Sequence, residues 1–315
     1  GRNLDLEAEE RVRDVLTGCG LTEIISYSLT NLESVALLNP ARTPPAAEGY
    51  VRLANPLTRE QQYLRQTLLH TTLETMARNL RFVERVALFE IGAVYLPQEG
   101  EMLPAEPRRL SVGLCGPREA RSWLGGGGMF AFYDLKGIVE TLCARMEVGA
   151  VRFAPTQHPT FHPGRVASVS AGEREIGILG EVHPLVRAAF DLPEQPVCLL
   201  EMDLEALLAS VGGGRRFKPL SRMPALKLDL AVVVGAETPS DALTAAIREA
   251  GGPWLVEMTL FDVYQGAQVE AGKKSLAYSL TFQAPDRTLT SEQANRQRDR
   301  IVQALERGFG AEMRG

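Results

Sequence analysis

Hydrophobic and polar positions alternate most cleanly near the C-terminus. Over residues 226–234, Leu226, Leu228, Leu230, Val232 and Val234 fall on every second position, which predicts a strand with one buried face. The same period returns over 275–283. There Leu276, Tyr278, Leu280 and Phe282 face one way, and Ser275, Ala277, Ser279 and Thr281 the other. A third strand-like run covers 255–264. Between the last two, residues 265–274 form a polar loop, with Gly266 and Gly272 where the backbone turns and Lys273 and Lys274 at its end. Helical spacing fills the intervals. Thr238-Pro239 supplies a cap and a first helical position, Leu243, Ala246, Ile247 and Ala250 follow as the apolar stripe, and Gly251-Gly252 stops it. Thr290 and Gln293 fit a capping box ahead of the stripe Ala294, Ile301, Leu305 and Phe309. Residues 311–314 are left for a short last strand.

The resulting order, β-α-β-β-α-β, is the ferredoxin-like arrangement with two helices on one sheet face. Upstream the pattern is different. Leu4, Ala8, Val12, Val15 and Leu16 make an amphipathic helix ended by Gly18 and Gly20. Strands are expected over 23–29, 51–56, 86–96, 110–115, 166–170, 175–182 and 197–204, with Ala171-Gly172-Glu173 as a hairpin turn. Leu68, Leu69, Thr72, Leu73, Met76 and Leu80 line one long helix, and residues 134–146 form another. Strands of antiparallel type mixed with helices predict an α+β domain. Gly212-Gly213-Gly214 is the best joint between the two parts.

Composition narrows the class. A chain of 315 residues suffices for two domains, and 45% hydrophobic with 23% charged residues is ordinary for a globular protein. No apolar run reaches the roughly 18 residues that cross a bilayer. No basic-then-apolar leader opens the chain. It begins at Gly1, not Met, and enters a helix almost at once, so it reads as a piece of a longer protein. Cys19, Cys115, Cys143 and Cys198 are scattered without metal-type spacing, so free thiols in the reducing cytoplasm are expected. Net charge is −5, whereas a protein devoted to gripping phosphates is usually basic. Any RNA contact is therefore local, or shared with other chains.

Several runs then point to a family. Arg222-Met-Pro-Ala225, Asp229-Leu-Ala231, Phe261-Asp-Val-Tyr264, Gly272-Lys-Lys-Ser-Leu-Ala277 and Pro285-Asp-Arg-Thr-Leu-Thr290 resemble the ferredoxin-fold anticodon-binding domain of the bacterial phenylalanine–tRNA ligase β-subunit family. Asn55-Pro-Leu57, Leu64-Arg65, Ala77-Arg-Asn-Leu80, Phe132-Tyr-Asp-Leu-Lys-Gly137, His162-Pro-Gly-Arg165 and Gly180-Glu-Val-His-Pro184 are similar to the family's class II synthetase-like core. The resemblance implies an α+β chain divided three ways. A class II aminoacyl-tRNA synthetase-like, antiparallel-sheet core at 1–212 is followed by a linker at 213–217 and a ferredoxin-like anticodon-binding domain at 218–315. It implies a non-catalytic scaffold for the α subunit, in a heterotetramer of two α with two β, that positions tRNA(Phe). ATP and Mg²⁺ would be used by the assembled enzyme, with no cofactor in this chain. Neither membrane nor DNA is an expected partner. The rival reading is a free-standing, synthetase-like regulatory or amino-acid-binding protein without ligase activity. The family's tRNA-binding, editing and metal-coordinating modules have no counterpart in this sequence.

An adenylate-forming site needs cations aimed at developing phosphate charge. Phe89-Glu90-Ile91 lacks an Arg after its Phe, and Gly177, Gly180 and Arg187 only loosely imitate a glycine-rich strand followed by an Arg-bearing helix, so no catalytic residue is assigned. His158, His162 and His183 invite a metal, but prolines break the helical spacing and no Cys or acid pair completes a set, so no metal ligand is assigned. The glycines at 125–128 lack the Lys-Ser/Thr of a phosphate cradle and read as a surface loop. For RNA the candidates are Arg222, Lys227, Tyr264, Lys273, Lys274 and Arg287, at edges and loops. The open sheet face, expected to carry Lys227, Asp229, Ala277, Ser279 and Thr281, offers no aromatic ring for stacking. An exposed cation is as readily a plain solvated charge. Leu228, Gln265 and Ser279 stand where the family often has a basic residue, which weakens phosphate attraction.

Overall fold

The structure, a computed structural model, describes residues 4–119, 122–123, 127–212 and 221–314. The chain divides into two compact units, Gly1–Arg215 and Arg216–Gly315. The linker expected at 213–217 lies outside the described residues, as do two of the glycines at 125–128. No described helix is long and apolar enough to cross a membrane.

Unit 1 runs α1 (Leu4–Gly18), β1 (Thr22–Glu23), β2 (Leu29–Thr30), α2 (Leu32–Ala36), β3 (Tyr63–Leu64), α3 (Leu69–Asn79), β4 (Val86–Ala93) and β5 (Arg108–Cys115). It continues through α4 (Phe132–Met146), β6 (Val151–Pro155), β7 (Phe161–Ala171), β8 (Arg174–Val182), α5 (Pro184–Ala189), β9 (Val197–Asp203) and α6 (Leu204–Ala209). Seven of these strands form one sheet in the order β1-β4-β5-β9-β8-β7-β6. All its pairs are antiparallel except the short parallel pair β1·β4. β2 and β3 pair apart from it.

Both faces of the large sheet are covered, which is why β4, β5 and β9 read as nearly continuous apolar runs rather than as alternation. Phe89, Leu110, Val112, Leu114 and Leu200 pack with Val12, Leu135, Val139 and Leu142 on the side of α1, α4 and α6. Leu88, Val197 and Leu199 pack with Leu69, Leu73, Met76 and Val186 on the side of α3 and α5. α3 lies so close to β5 that a Cβ on Gly113 would stand 2.5 Å from the Met76 sulfur.

Three strand expectations in unit 1 change. The strand over 23–29 is split into β1 and β2, with residues 24–28 unpaired as strand. Residues 51–56 keep only a single bridge, Arg52 to Tyr63, because Pro56 removes a donor and the neighbouring β3 is only two residues long. Residues 151–155, not expected as a strand, pair with β7 as β6. His162-Pro-Gly-Arg165, read as a turn, is an irregularity inside β7, where the register with β8 shifts between Phe161 and Val166.

Unit 2 runs β10 (Leu226–Gly235), α7 (Ser240–Gly251), β11 (Leu255–Tyr264), β12 (Lys273–Phe282), α8 (Ser291–Phe309) and β13 (Glu312–Met313). Its sheet has the order β11-β12-β10-β13, fully antiparallel, the ferredoxin-like topology. Leu230, Val232, Val234, Leu276, Tyr278, Leu280 and Phe282 share one core with Leu243, Ile247, Ala294, Ile301 and Leu305 of the two helices. The Thr290–Gln293 capping box forms in both directions, and Gly310 closes α8 in the left-handed conformation at φ 59. α7 starts one residue later than Thr238-Pro239 suggests: Pro239 is the extended N-cap, without a side-chain bond. β11 departs from β12 at two bulges, between Leu255 and Glu257 and between Leu260 and Asp262.

Candidate nucleic-acid interface

The face of the unit 2 sheet turned away from α7 and α8 is built in rows, since residues directly opposite on paired strands share a face. Lys227, Thr281 and Glu257 form one row, Asp229, Ser279 and Thr259 the next, then Ala231, Ala277 and Asp262, then Val233, Ser275 and Tyr264. The middle of the face is thus a shallow floor of Ala, Ser and Thr. Ser275 and Thr281 are buried despite lying on it, because longer neighbours close over small side chains.

Tyr264 corrects the expectation that this face has no aromatic ring. The bulge at Phe261 inserts one residue into β11, which turns Tyr264 onto the open side opposite Ser275. Arg314 lies over the ring, its guanidinium carbon 5.6 Å from the centroid, and donates to Gln268 Oε1 at 2.8 Å. Residue counting along β11 misses this, since a bulge reverses the parity of every later side chain.

The two lysines also change. Both belong to β12 rather than to the loop, so they point to opposite faces. Lys273 lies opposite Gly235 on the open face, and its Nζ is 2.9 Å from both Glu270 Oε2 and Glu312 Oε1. Those two carboxylates raise the Lys273 pKa. Lys274 lies opposite Val234, on the helix side. At the other end of the sheet, Arg222 is exposed beside the Gln283 amide that donates to the Met223 carbonyl. Lys227 is exposed near the start of β10, and Arg287 covers the Trp254 ring at 5.4 Å. The six candidates therefore fall into two groups, Arg222, Lys227 and Arg287 at one end, and Tyr264, Lys273 and Lys274 at the other. The ten residues of β12 between them span roughly 30 Å at about 3.3 Å per step. Asp229, Glu257, Asp262 and Glu312 lie on the same face as Lys227 and Lys273, so the surface is not a phosphate-gripping one.

Unit 1 brings no arginines together around a nucleotide-sized hollow among the described residues. One hollow, about 720 Å³, is mostly apolar, with Phe82, Val83, Met129 and Pro193 in its wall and Arg81 as its one guanidinium among the described residues. Gly177 and Gly180 serve strand contact: a Cβ on either would come within 2.8 Å of a neighbouring carbonyl oxygen. Arg187 donates to the Gln195 carbonyl at 3.4 Å. The three conspicuous histidines work on their own backbone. In each, Nδ1 accepts an N–H two residues on, from Thr160, Gly164 and Leu185 respectively. No group of three or more His, Cys, Asp or Glu suited to a metal is found among the described residues.

Sequence reading missed the partner of Glu90. Arg65 reaches it at 2.9 Å, with 3% and 2% of the two side chains exposed. Arg65 also donates to the Ala93 carbonyl and the Ser26 hydroxyl, and Ser26 donates in turn to Glu90. Leu64-Arg65 and Phe89-Glu90 are thus two halves of one buried ion pair. Nothing in their separate spacing signals it.

Comparisons with known proteins fit this geometry. A family profile described as the phenylalanyl tRNA synthetase beta chain CLM domain matches residues 1–204, and one described as the ferredoxin-fold anticodon binding domain matches residues 221–314. The phenylalanine–tRNA ligase beta subunit of Moorella thermoacetica is 44% identical over 308 residues, which cover 97% of this chain and 38% of that protein. That of Bacillus subtilis is 34% identical, covering 97% and 37%. The chain thus spans little more than a third of the length of these relatives. Among solved structures, a pyrrolysyl-tRNA synthetase from Desulfitobacterium hafniense superposes with a TM-score of 0.51 at 18% identity, over 66% of this chain and 69% of that one, a likeness of fold alone.

Proposed function

From the premise that the chain belongs to the phenylalanyl-tRNA synthetase beta chain family, we propose that it works as a non-catalytic part of a cytoplasmic phenylalanine–tRNA ligase. Unit 1 holds the catalytic α subunit, in an assembly of two α and two β chains. Unit 2 meets the anticodon side of tRNA(Phe). ATP and Mg²⁺ serve the assembled enzyme and have no seat in this chain. The observation that carries the reading is the contrast between the two sheets. That of unit 1 is covered on both faces by its own helices. That of unit 2 keeps one face clear of its own helices.

The open face suits bases better than phosphates. A flat floor of small side chains with Tyr264 at one end allows stacking, which contributes about 1–3 kcal/mol per base. Exposed carboxylates accept from the amino groups of bases and repel the backbone. Phosphate contact then falls to the cations at the two ends of the sheet. In unit 1, Ile25, Tyr27 and Phe82 stand out into solvent, as expected of a chain whose partner is held permanently.

Co-purification with the α subunit tests the scaffold role. The folded chain should retain α through size-exclusion chromatography, and the chain alone should show no phenylalanine-dependent ATP–pyrophosphate exchange. Failure to retain α, or exchange by the chain alone, overturns the reading.

A further inference from the structure

A second cleft in unit 1, between the β2–β3 pair and α3, shares Tyr27 with that exposed apolar surface but is otherwise unused by the function proposed above. It encloses about 340 Å³ and is more polar than the apolar hollow, with polar atoms supplying about half of its lining surface. Four segments converge on it: Ser26 ahead of β2, Ser34 on α2, Glu60 and Gln61 ahead of β3, and Thr71 and Glu74 on α3.

Glu74 is the unusual member. Its carboxylate is half-buried, lies near the Ser34 hydroxyl and within the field of the Arg78 guanidinium, and forms no salt bridge among the described residues. Arg78, one turn along, also lines the cleft but donates to Thr75 Oγ1. A carboxylate withdrawn from water is costly to keep ionised, and burial pushes the Glu74 pKa up despite the Ser34 hydroxyl and the Arg78 charge. The floor is polar as well. Ser26 joins the cleft to the buried Arg65–Glu90 pair. One turn before Glu74 on the same stripe of α3 lies His70, fully buried, with neither ring nitrogen bonded. A neutral imidazole offers one donor and one acceptor, and buried polar atoms of this kind are normally satisfied by a partner, whether protein, water or ligand.

We propose that this cleft binds a small molecule bearing a primary ammonium group, seated on the Glu74 carboxylate, with the hydroxyl oxygens of Ser34 and Thr71 as further acceptors. An ammonium ion has three donors and no acceptor, and this side of the cleft is rich in oxygens. The second end of the ligand selects its class. Glu60 at the rim suits a second ammonium, as in a diamine, and Arg78 suits a carboxylate, as in an amino acid. The volume admits either.

Calorimetric titration of the whole chain with putrescine, with phenylalanine and with propionate separates these cases. Saturable binding of putrescine alone identifies a diamine site, binding of phenylalanine alone an amino-acid site, and binding of both a site that reads the ammonium only. Propionate, which lacks the ammonium, should not bind. Glu74→Gln should weaken the bound amine about tenfold or more, the loss expected for one charge-assisted hydrogen bond. Should that variant not fold, the wild-type amide signals of Ser34 and Thr71 give the same answer, since they must move during the titration. No saturable binding of either amine, equal affinity in Glu74→Gln, or signal changes confined to other regions overturns the proposal.

Discussion

Neither ring nitrogen of His70 is bonded, and its side chain has no exposure to solvent. Burial, aided by the nearby Arg65 charge, lowers its pKa from the ordinary 6.5 to about 4. The sign follows from proton counting. Between pH 6.5 and 4 the unfolded chain takes up a proton that the folded chain refuses, so stability is intact above 6.5 and is lost as pH falls through that window. The loss is roughly 3 kcal/mol. His70→Leu should flatten urea-derived stability against pH across this interval, and an unchanged slope would sink the assignment. Arg65 and Glu90 give the opposite lesson, a charge pair that must be kept whole. Glu90→Ala leaves a guanidinium buried without its counter-ion and should cost about 3–5 kcal/mol, read as a lower urea midpoint. Only part of this was legible in the chain. His158, His162 and His183 attract notice by their spacing and turn out to fold their own backbone. His70 sits unmarked beside the apolar stripe of α3, and no periodicity says that a polar ring there will lack partners.

Strands and helices of unit 2 were the most readable elements, because each has one covered and one open face and so carries a clean period. Where the pleat is interrupted, reading fails. The bulge at Phe261 moved Tyr264 onto the open face, and extension of β12 by two residues placed Lys273 and Lys274 on opposite sides. The consequences for RNA differ between the two kinds of residue. Tyr264→Ala should lower tRNA(Phe) affinity by about 1–3 kcal/mol without altering the slope of log affinity against log salt, because a stacked ring releases no counter-ions. Filter binding at several salt concentrations decides this, and a flattened slope would show that the ring had been holding a phosphate. Among the lysines, Lys274→Ala should flatten the slope more than Lys273→Ala does, since Lys273 is already engaged by Glu270 and Glu312.

Across the whole molecule, each unit owns its core: the apolar clusters of unit 1 and that of unit 2 share no residue. Residues 216–315 expressed alone should therefore unfold in one cooperative urea transition followed by circular dichroism, and a gradual, non-cooperative loss would show that the unit leans on the rest of the chain. The α+β class of unit 1 was readable from its mixture of elements, but its strand count was not. β1, β2 and β3 are two residues each, too short to show a period, and β6 contains Pro155. The outermost strand of unit 2 has a further property. β11 pairs on one side only, and it exposes Val256, Phe261 and Val263. A straight strand of that composition would be a template onto which another copy could zip. Its two offsets from β12 put the free amides and carbonyls out of step with any regular newcomer, which works against fibre growth along this greasy margin.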